Sequence, residues 1–282
     1  MKRIGIIAKR KSDKAVSAVC ETLPWFREQG YETLIDPNTA VVLGIDPTPY
    51  EQIRDEADVI VVFGGDGTLL SAARLVEGHD TPILGINLGG LGFMAEVPLE
   101  DIHPALERAL AGQCSIEHRV MLRAYVHRGG ERIALSSVLN DVVINKSAVA
   151  RLIHIDTAVD GEHLTTFNAD GLIICTPTGS TAYSLSAGGP ILYPTLNCVL
   201  LTPICPHALA NRPVVLPDHV RITATIAGDE NVYLTMDGQV GFDLVPGDTV
   251  EIVKSEHTTR LLIPCEREYF GILRSKLKWG ER

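Results

Sequence analysis

Along the N-terminal part of the chain, short apolar runs alternate with stretches that carry one apolar face. Lys2 to Ala8 predicts a strand, Asp13 to Gln29 an amphipathic helix, Asp58 to Phe63 a buried strand and Thr68 to Val76 a helix. Thr81 to Ile86 reads as the next strand, and Leu99 to Ala111 as a helix stopped by Gly112. Strand then helix, repeated, predicts a parallel sheet with crossover helices.

From about Arg119 the period changes to two. Val120, Leu122, Ala124 and Val126 alternate with Met121, Arg123 and Tyr125, and Val220, Ile222, Ala224 and Ile226 alternate with polar neighbours. These are half-buried strands, and the turn signals Asp160-Gly161, Gly228-Asp229, Asp237-Gly238 and Pro246-Gly247-Asp248 punctuate them. The expected fold is therefore a Rossmann-like α/β domain over residues 1–118, followed by a β-sandwich domain over 119–264. The tail from Glu266 to Trp279 loses the alternation, reads as helical and is expected to pack, as residues 265–282, back on the first domain.

The length of 282 residues and a 45% hydrophobic content supply core for two domains. A formal charge of -10 means that no global field draws in nucleic acid or an anionic membrane, so a phosphorylated ligand must be held by local geometry. No two of the six cysteines form a C-x-x-C pair, and the apolar start runs into Lys9-Arg10-Lys11, which predicts a reduced cytoplasm and no signal peptide. The stretch from Gly171 to Asn211 carries no charged side chain, but its prolines and glycines would break any membrane-spanning helix.

Gly64-Gly65-Asp66-Gly67-Thr68 follows the run Val59 to Phe63 and so puts a carboxylate at the carboxyl edge of a parallel strand, where open α/β sheets bind ligands. The glycines are expected to take positive φ and let the backbone approach a phosphate, with amides at the start of the following helix as donors. Asp66 is then free to accept a hydroxyl proton in phosphoryl transfer, with a magnesium or other divalent ion offsetting charge. A second loop, Gly89-Gly90-Leu91-Gly92-Phe93, is expected at the same sheet edge.

Farther on, the run Asn168 to Pro190 contains Asp170 and offers Thr176, Thr178, Ser180, Thr181, Ser184 and Ser186 as neutral donors and acceptors, and Tyr183 as a stacking face. Asn140-Asp141 sits inside an apolar strand and suits ribose hydroxyls. The nine histidines show no metal-ligand spacing.

Taken in order, these pieces, together with Gly85-Ile86-Asn87, Pro206-His207, Arg212-Pro213 and Asp237-Gly238-Gln239, resemble the bacterial-type NAD kinases over almost the whole chain. The resemblance implies an ATP-dependent, or polyphosphate-dependent, phosphorylation of the adenosine-ribose 2′-hydroxyl of NAD, with Asp66 as the proton acceptor and Gly67 beside it. It also implies that Asn140, Asp141, Arg151, Asn168, Asp170, Thr181, Ala182, Tyr183, Ser184, Leu185, Ser186 and Gln239 hold the dinucleotide. The ATP loop would be Gly64, Gly65, Gly67 and Thr68, magnesium would be bound through substrate phosphates, and the chain would form a homodimer or homotetramer. Two other readings stay open: a lipid or sugar kinase sharing the Gly-Gly-Asp-Gly loop of the phosphofructokinase and diacylglycerol kinase folds, and a non-catalytic dinucleotide-binding regulator.

Overall fold

A computed structural model describes residues 2–89, 92–146, 152–208, 210–228, 231–263 and 269–279. The chain divides into two compact units, residues 1–118 with 259–282, and residues 119–258.

The first unit opens with β1 (Arg3–Ala8), α1 (Asp13–Glu28), β2 (Glu32–Ile35), α2 (Pro37–Leu43), α3 (Tyr50–Glu56) and β3 (Val59–Gly64), and goes on through α4 (Asp66–Leu75), β4 (Ile83–Asn87), β5 (Val97–Pro98) and α5 (Ile102–Leu110). Its strands run parallel in the order β2-β1-β3-β4, with Ile4 opposite Val59 and Ile60 opposite Ile83. Covered on both faces, β3 is buried at every position, which is why it reads as an unbroken apolar run. Strand order reverses between β1 and β3, so the loop after β3 leaves the sheet at its topological switch point.

Boundaries moved by local chemistry. Helix α4 begins at Asp66 rather than Thr68, because the Gly65 carbonyl accepts the amides of both Thr68 (3.0 Å) and Leu69 (3.2 Å). The predicted Leu99–Ala111 helix divides into a 3-10 turn at Leu99–Asp101 and α5, and Gly112 ends it at φ +72°. Helix α2 escaped the apolar pattern because Val41 and Val42 are exposed; its start is set instead by Asp36, which accepts the amides of Asn38 and Thr39.

The second unit holds β6 (Ser115–Arg128), β7 (Glu131–Val138), β8 (Asp141–Lys146), β9 (Ile153–Val159), β10 (Glu162–Ala169) and β11 (Gly171–Cys175). After these come α6 (Tyr183–Ser186), β12 (Cys198–Ile204), β13 (Val214–Pro217), β14 (Ile222–Ala227), β15 (Val232–Met236), β16 (Val240–Leu244) and β17 (Thr249–Ile263). The first residues of β6 and the last of β17 belong to the first unit, as does α7 (Tyr269–Leu277). One sheet runs β13-β12-β11-β8-β15-β16; the other contains β10-β9-β14-β17, with β6 joining β17 to β7. Leu122, Ile155, Ala224 and Val250 from the latter pack with Ile144, Leu172, Leu201 and Leu234 from the former in one buried cluster, a sandwich core. Asp160-Gly161 and Asp237-Gly238 turn their hairpins with both residues at positive φ, the geometry that the dipeptides predict. Asp229 of the Gly228-Asp229 turn signal lies outside the described residues.

Candidate functional site

In the first unit, Asp66 is the first residue of α4, at the carboxyl end of β3. Its carboxylate is gripped by three successive backbone amides: Phe93 donates to Oδ2 at 2.7 Å, and Met94 and Ala95 donate to Oδ1 at 3.0 and 3.2 Å. A carboxylate offers about four acceptor positions, so the bonds among described residues leave one, on Oδ2.

The glycines around Asp66 do not take the expected positive φ. Gly64, Gly65 and Gly67 do not appear among the positive-φ residues, and Gly65 is extended at φ −120° and ψ −169°. A Cβ on Gly64 would lie 2.4 Å from Thr68 Oγ1, so this glycine is set by the packing of Thr68. The Thr68 amide in turn donates to the Gly65 carbonyl. At Gly65 a Cβ would meet nothing within 4 Å, which leaves its backbone open to a ligand. Gly90 and Leu91 of the second loop lie outside the described residues, but Gly92 and Phe93 do reach Asp66.

In the second unit, Asn140, Asp141, Val143, Ala182, Tyr183, Thr235, Asp237 and Gly238 line a cavity of about 290 Å³. It forms where the start of β8 meets the block after β11, and the approach is close: a Cβ on Gly179 would lie 2.2 Å from the Asn140 carbonyl oxygen. Asn140 Oδ1 is buried with no hydrogen-bond partner among the described residues, an acceptor left for something else to satisfy. Tyr183 is 41% exposed, with its ring available for stacking.

Asp237 is the residue that sequence reasoning missed. It entered the reading as half of a turn and as part of the Asp237-Gly238-Gln239 motif, with no role of its own, yet its buried carboxylate accepts the amides of Leu139 (3.2 Å), Asn140 (2.8 Å) and Asp141 (3.2 Å) and so fixes the strand that carries the pocket. Burial and the neighbouring Asp237 charge push the Asp141 carboxyl up to about 7. Asp141 therefore titrates near neutrality rather than standing as a permanent carboxylate.

Most hydroxyls of the block after β11 are turned inward. Thr176 donates to Leu139 O (2.6 Å), Ser180 to Pro177 O (2.6 Å) and Thr181 to Thr178 O (3.2 Å), while Ser184 pairs with Thr202 (2.8 Å). These bonds fold the segment into a 3-10 turn, Thr178–Thr181, followed by α6, rather than an open polar loop. Thr181 and Ser184 thus each make a side-chain hydrogen bond inside the unit; Ala182 and Tyr183 face the cavity, and Leu185 and Ser186 continue α6 beyond it.

Three expected ligand residues sit elsewhere. Asp170 pairs with Lys146 (2.6 Å), and Asn168 Oδ1 meets His154 (2.5 Å). Asp170 lies beside the far end of β8, five residues or about 17 Å of strand from Asp141, while Asn168 is on β10 opposite His154 in the other sheet. Gln239 spends its amide on Met236 O (3.0 Å), closing the hairpin, and is not among the lining residues. Arg151 lies outside the described residues.

Comparison with known proteins agrees with this layout. Residues 4–114 match the model of the ATP-NAD kinase N-terminal domain, and residues 139–263 that of the ATP-NAD kinase C-terminal domain. The chain is 50% identical to the NAD kinase of Geotalea daltonii and 50% to that of Geobacter sulfurreducens, in both cases over 100% of each chain. Among solved structures, yeast NADH kinase complexed with NADH superimposes with a TM-score of 0.92 at 26% identity, over 100% of this chain and 89% of that one. An NAD kinase from Archaeoglobus fulgidus in complex with ATP gives 0.79 at 26%, over 98% of each. With both domain models and full-length relatives in agreement, the chain belongs to the NAD kinase family.

Proposed function

We propose that this chain transfers the γ-phosphoryl group of ATP to the 2′-hydroxyl of the adenosine ribose of NAD, giving NADP and ADP. The observation that carries the reading is the Asp66 carboxylate, held at the switch point of a parallel sheet with one acceptor position open on Oδ2. In the transfer, the 2′-oxygen forms a bond to the γ-phosphorus as the bond from that phosphorus to the β,γ-bridging oxygen breaks. The hydroxyl proton passes to Asp66 Oδ2, and ADP leaves with the bridging electrons.

The open backbone at Gly65, with Gly64 and Gly67 beside it, suits a polyphosphate tail. The second-unit cavity is at the low end of ligand-pocket size and suits one nucleoside half of a dinucleotide. There the orphaned Asn140 Oδ1 takes a donor from the base or ribose, Asp141 takes a hydroxyl and Tyr183 offers a stacking face.

Among the described residues no group of three metal-ligating side chains comes together, and the amides of Phe93, Met94 and Ala95 leave Asp66 one acceptor position. A divalent ion would arrive on the phosphates of ATP, or of polyphosphate, and offset their charge.

The separation of Asp170 from the cavity supports a homodimer or homotetramer in which it, with Arg151, Asn168 and Gln239, serves dinucleotide bound to another copy. Cys20, Cys175, Cys198 and Cys205 form no disulfide among the described residues, which supports a reducing, cytoplasmic setting. The parallel sheet and its Gly-Gly-Asp-Gly loop support kinship of the first unit with the phosphofructokinase and diacylglycerol kinase folds.

Incubation of the purified chain with ATP, Mg²⁺ and NAD, read by an NADP-specific dehydrogenase, tests the proposal. NADP should accumulate. Turnover of a lipid or sugar alcohol with NAD inert would overturn it, as would dinucleotide binding without product.

A further inference from the structure

Asp66 is the first residue of a helix, so its side chain could swing across the end of the sheet; three observations show what stops it. The amides of Phe93, Met94 and Ala95 converge on its two oxygens at 2.7, 3.0 and 3.2 Å. At Gly92, a Cβ would stand 2.7 Å from Asp66 Oδ1, 3.1 Å from Cγ and 3.3 Å from Oδ2. The amide segment is itself pressed against β4, since a Cβ on Gly85 would lie 2.9 Å from Ala95 Cα.

Gly92 is buried, and the three nearest atoms that a Cβ there would meet all belong to the Asp66 carboxylate. What excludes a side chain is the Asp66 carboxylate itself. The segment thus closes around the carboxylate on one side and leaves the remaining Oδ2 acceptor position on the other.

We propose that Gly92 is a positioning residue for phosphoryl transfer: its bare Cα seats the Phe93–Ala95 amides on Asp66 and so aims the free Oδ2 lone pair at the acceptor hydroxyl. The inference rests on the reading of Asp66 as the proton acceptor. It adds that the carboxylate's placement, and not only its presence, is required.

Two variants test this. Gly92→Ala must displace the carboxylate, and a misplacement on the order of 1 Å lowers turnover about 100-fold. That loss should fall on kcat, with the KM for NAD within about 2-fold of wild type, because only an interaction of the transition state is lost. In an Asp66→Asn background the same Gly92→Ala change should lower kcat no further, since Gly92 then has no carboxylate to place.

The second variant, Asp66→Glu, keeps the charge but adds a methylene that the gap against Gly92 has no room for; its kcat should fall to the level of Asp66→Asn. A Glu variant with near-wild-type kcat would overturn the inference even if Gly92→Ala did not fold. So would a Gly92→Ala effect that adds fully to Asp66→Asn, the mark of a merely structural role. If wild type forms NADP and Asp66→Asn does not, the reading of Asp66 stands and only the positioning claim is at stake. If wild type forms no NADP, the functional reading itself has failed.

Discussion

Replacing Asp141 with Asn should change how stability depends on pH, and the structure sets both sign and size. The Asp141 side chain is buried at 5% exposure beside Asp237, and its pKa rises from 3.8 to about 7. An acid whose folded pKa is raised contributes stability that is fully present below the unfolded value and is lost as pH rises through the folded one. The wild-type penalty therefore accumulates from about pH 4 to pH 7 and then levels off.

At about 1.4 kcal/mol per pH unit for one proton, the two units between pH 5 and pH 7 correspond to roughly 3 kcal/mol as an upper bound. The neutral amide of the Asp141→Asn variant carries no such charge. Urea unfolding of both proteins at pH 5, 6, 7 and 8 should show the variant gaining on wild type by up to that amount, with the gap constant above about pH 7.5. Parallel stability curves across this range would refute the claim that a buried, repelled carboxylate sits in the pocket.

Further outcomes follow from the same geometry. Asp237→Asn removes the neighbouring charge, so the Asp141 midpoint should move down toward the ordinary carboxylate range; an unchanged midpoint, followed by side-chain carboxyl NMR, would leave burial as the sole cause. Gly179→Ala places a Cβ 2.2 Å from Asn140 O and should cost about 1–3 kcal/mol of stability while weakening NAD binding, checked by urea midpoint and calorimetric titration. Gly64→Ala should be similarly destabilising because of Thr68, whereas Gly65→Ala, with open space at its Cβ, should change stability by only about 0.5 kcal/mol.

Much of the architecture is visible in the sequence because periodicity reports burial. The run Val59 to Phe63 is apolar throughout because β3 is covered on both faces, and Val220 to Ile226 alternates because β14 has one buried face. Short elements escaped: β2 has four residues, and α2 shows solvent Val41 and Val42 on the faces that should have been polar.

The site was legible as residue types and not as contacts. Nothing in the Gly64–Thr68 string shows that Asp66 is met by amides from 93–95, or that Gly64 is small for Thr68, since both facts depend on segments that the fold brings together. Asp237 shows the same limit. Its dipeptide announces a turn, while the three amides that make it part of the pocket lie almost a hundred residues earlier. The hydroxyls of Thr176, Ser180 and Ser184 suggested ligand contacts because composition does not reveal that each already has a partner.

The central claim is that Asp66 takes the proton of the NAD 2′-hydroxyl, and it is tested most directly by NADP formation from ATP, Mg²⁺ and NAD with wild type and Asp66→Asn side by side. The account predicts NADP from wild type and a turnover lower by a factor of at least about 100 in the variant, with the KM for NAD nearly unchanged. Equal turnover in the two proteins would contradict it.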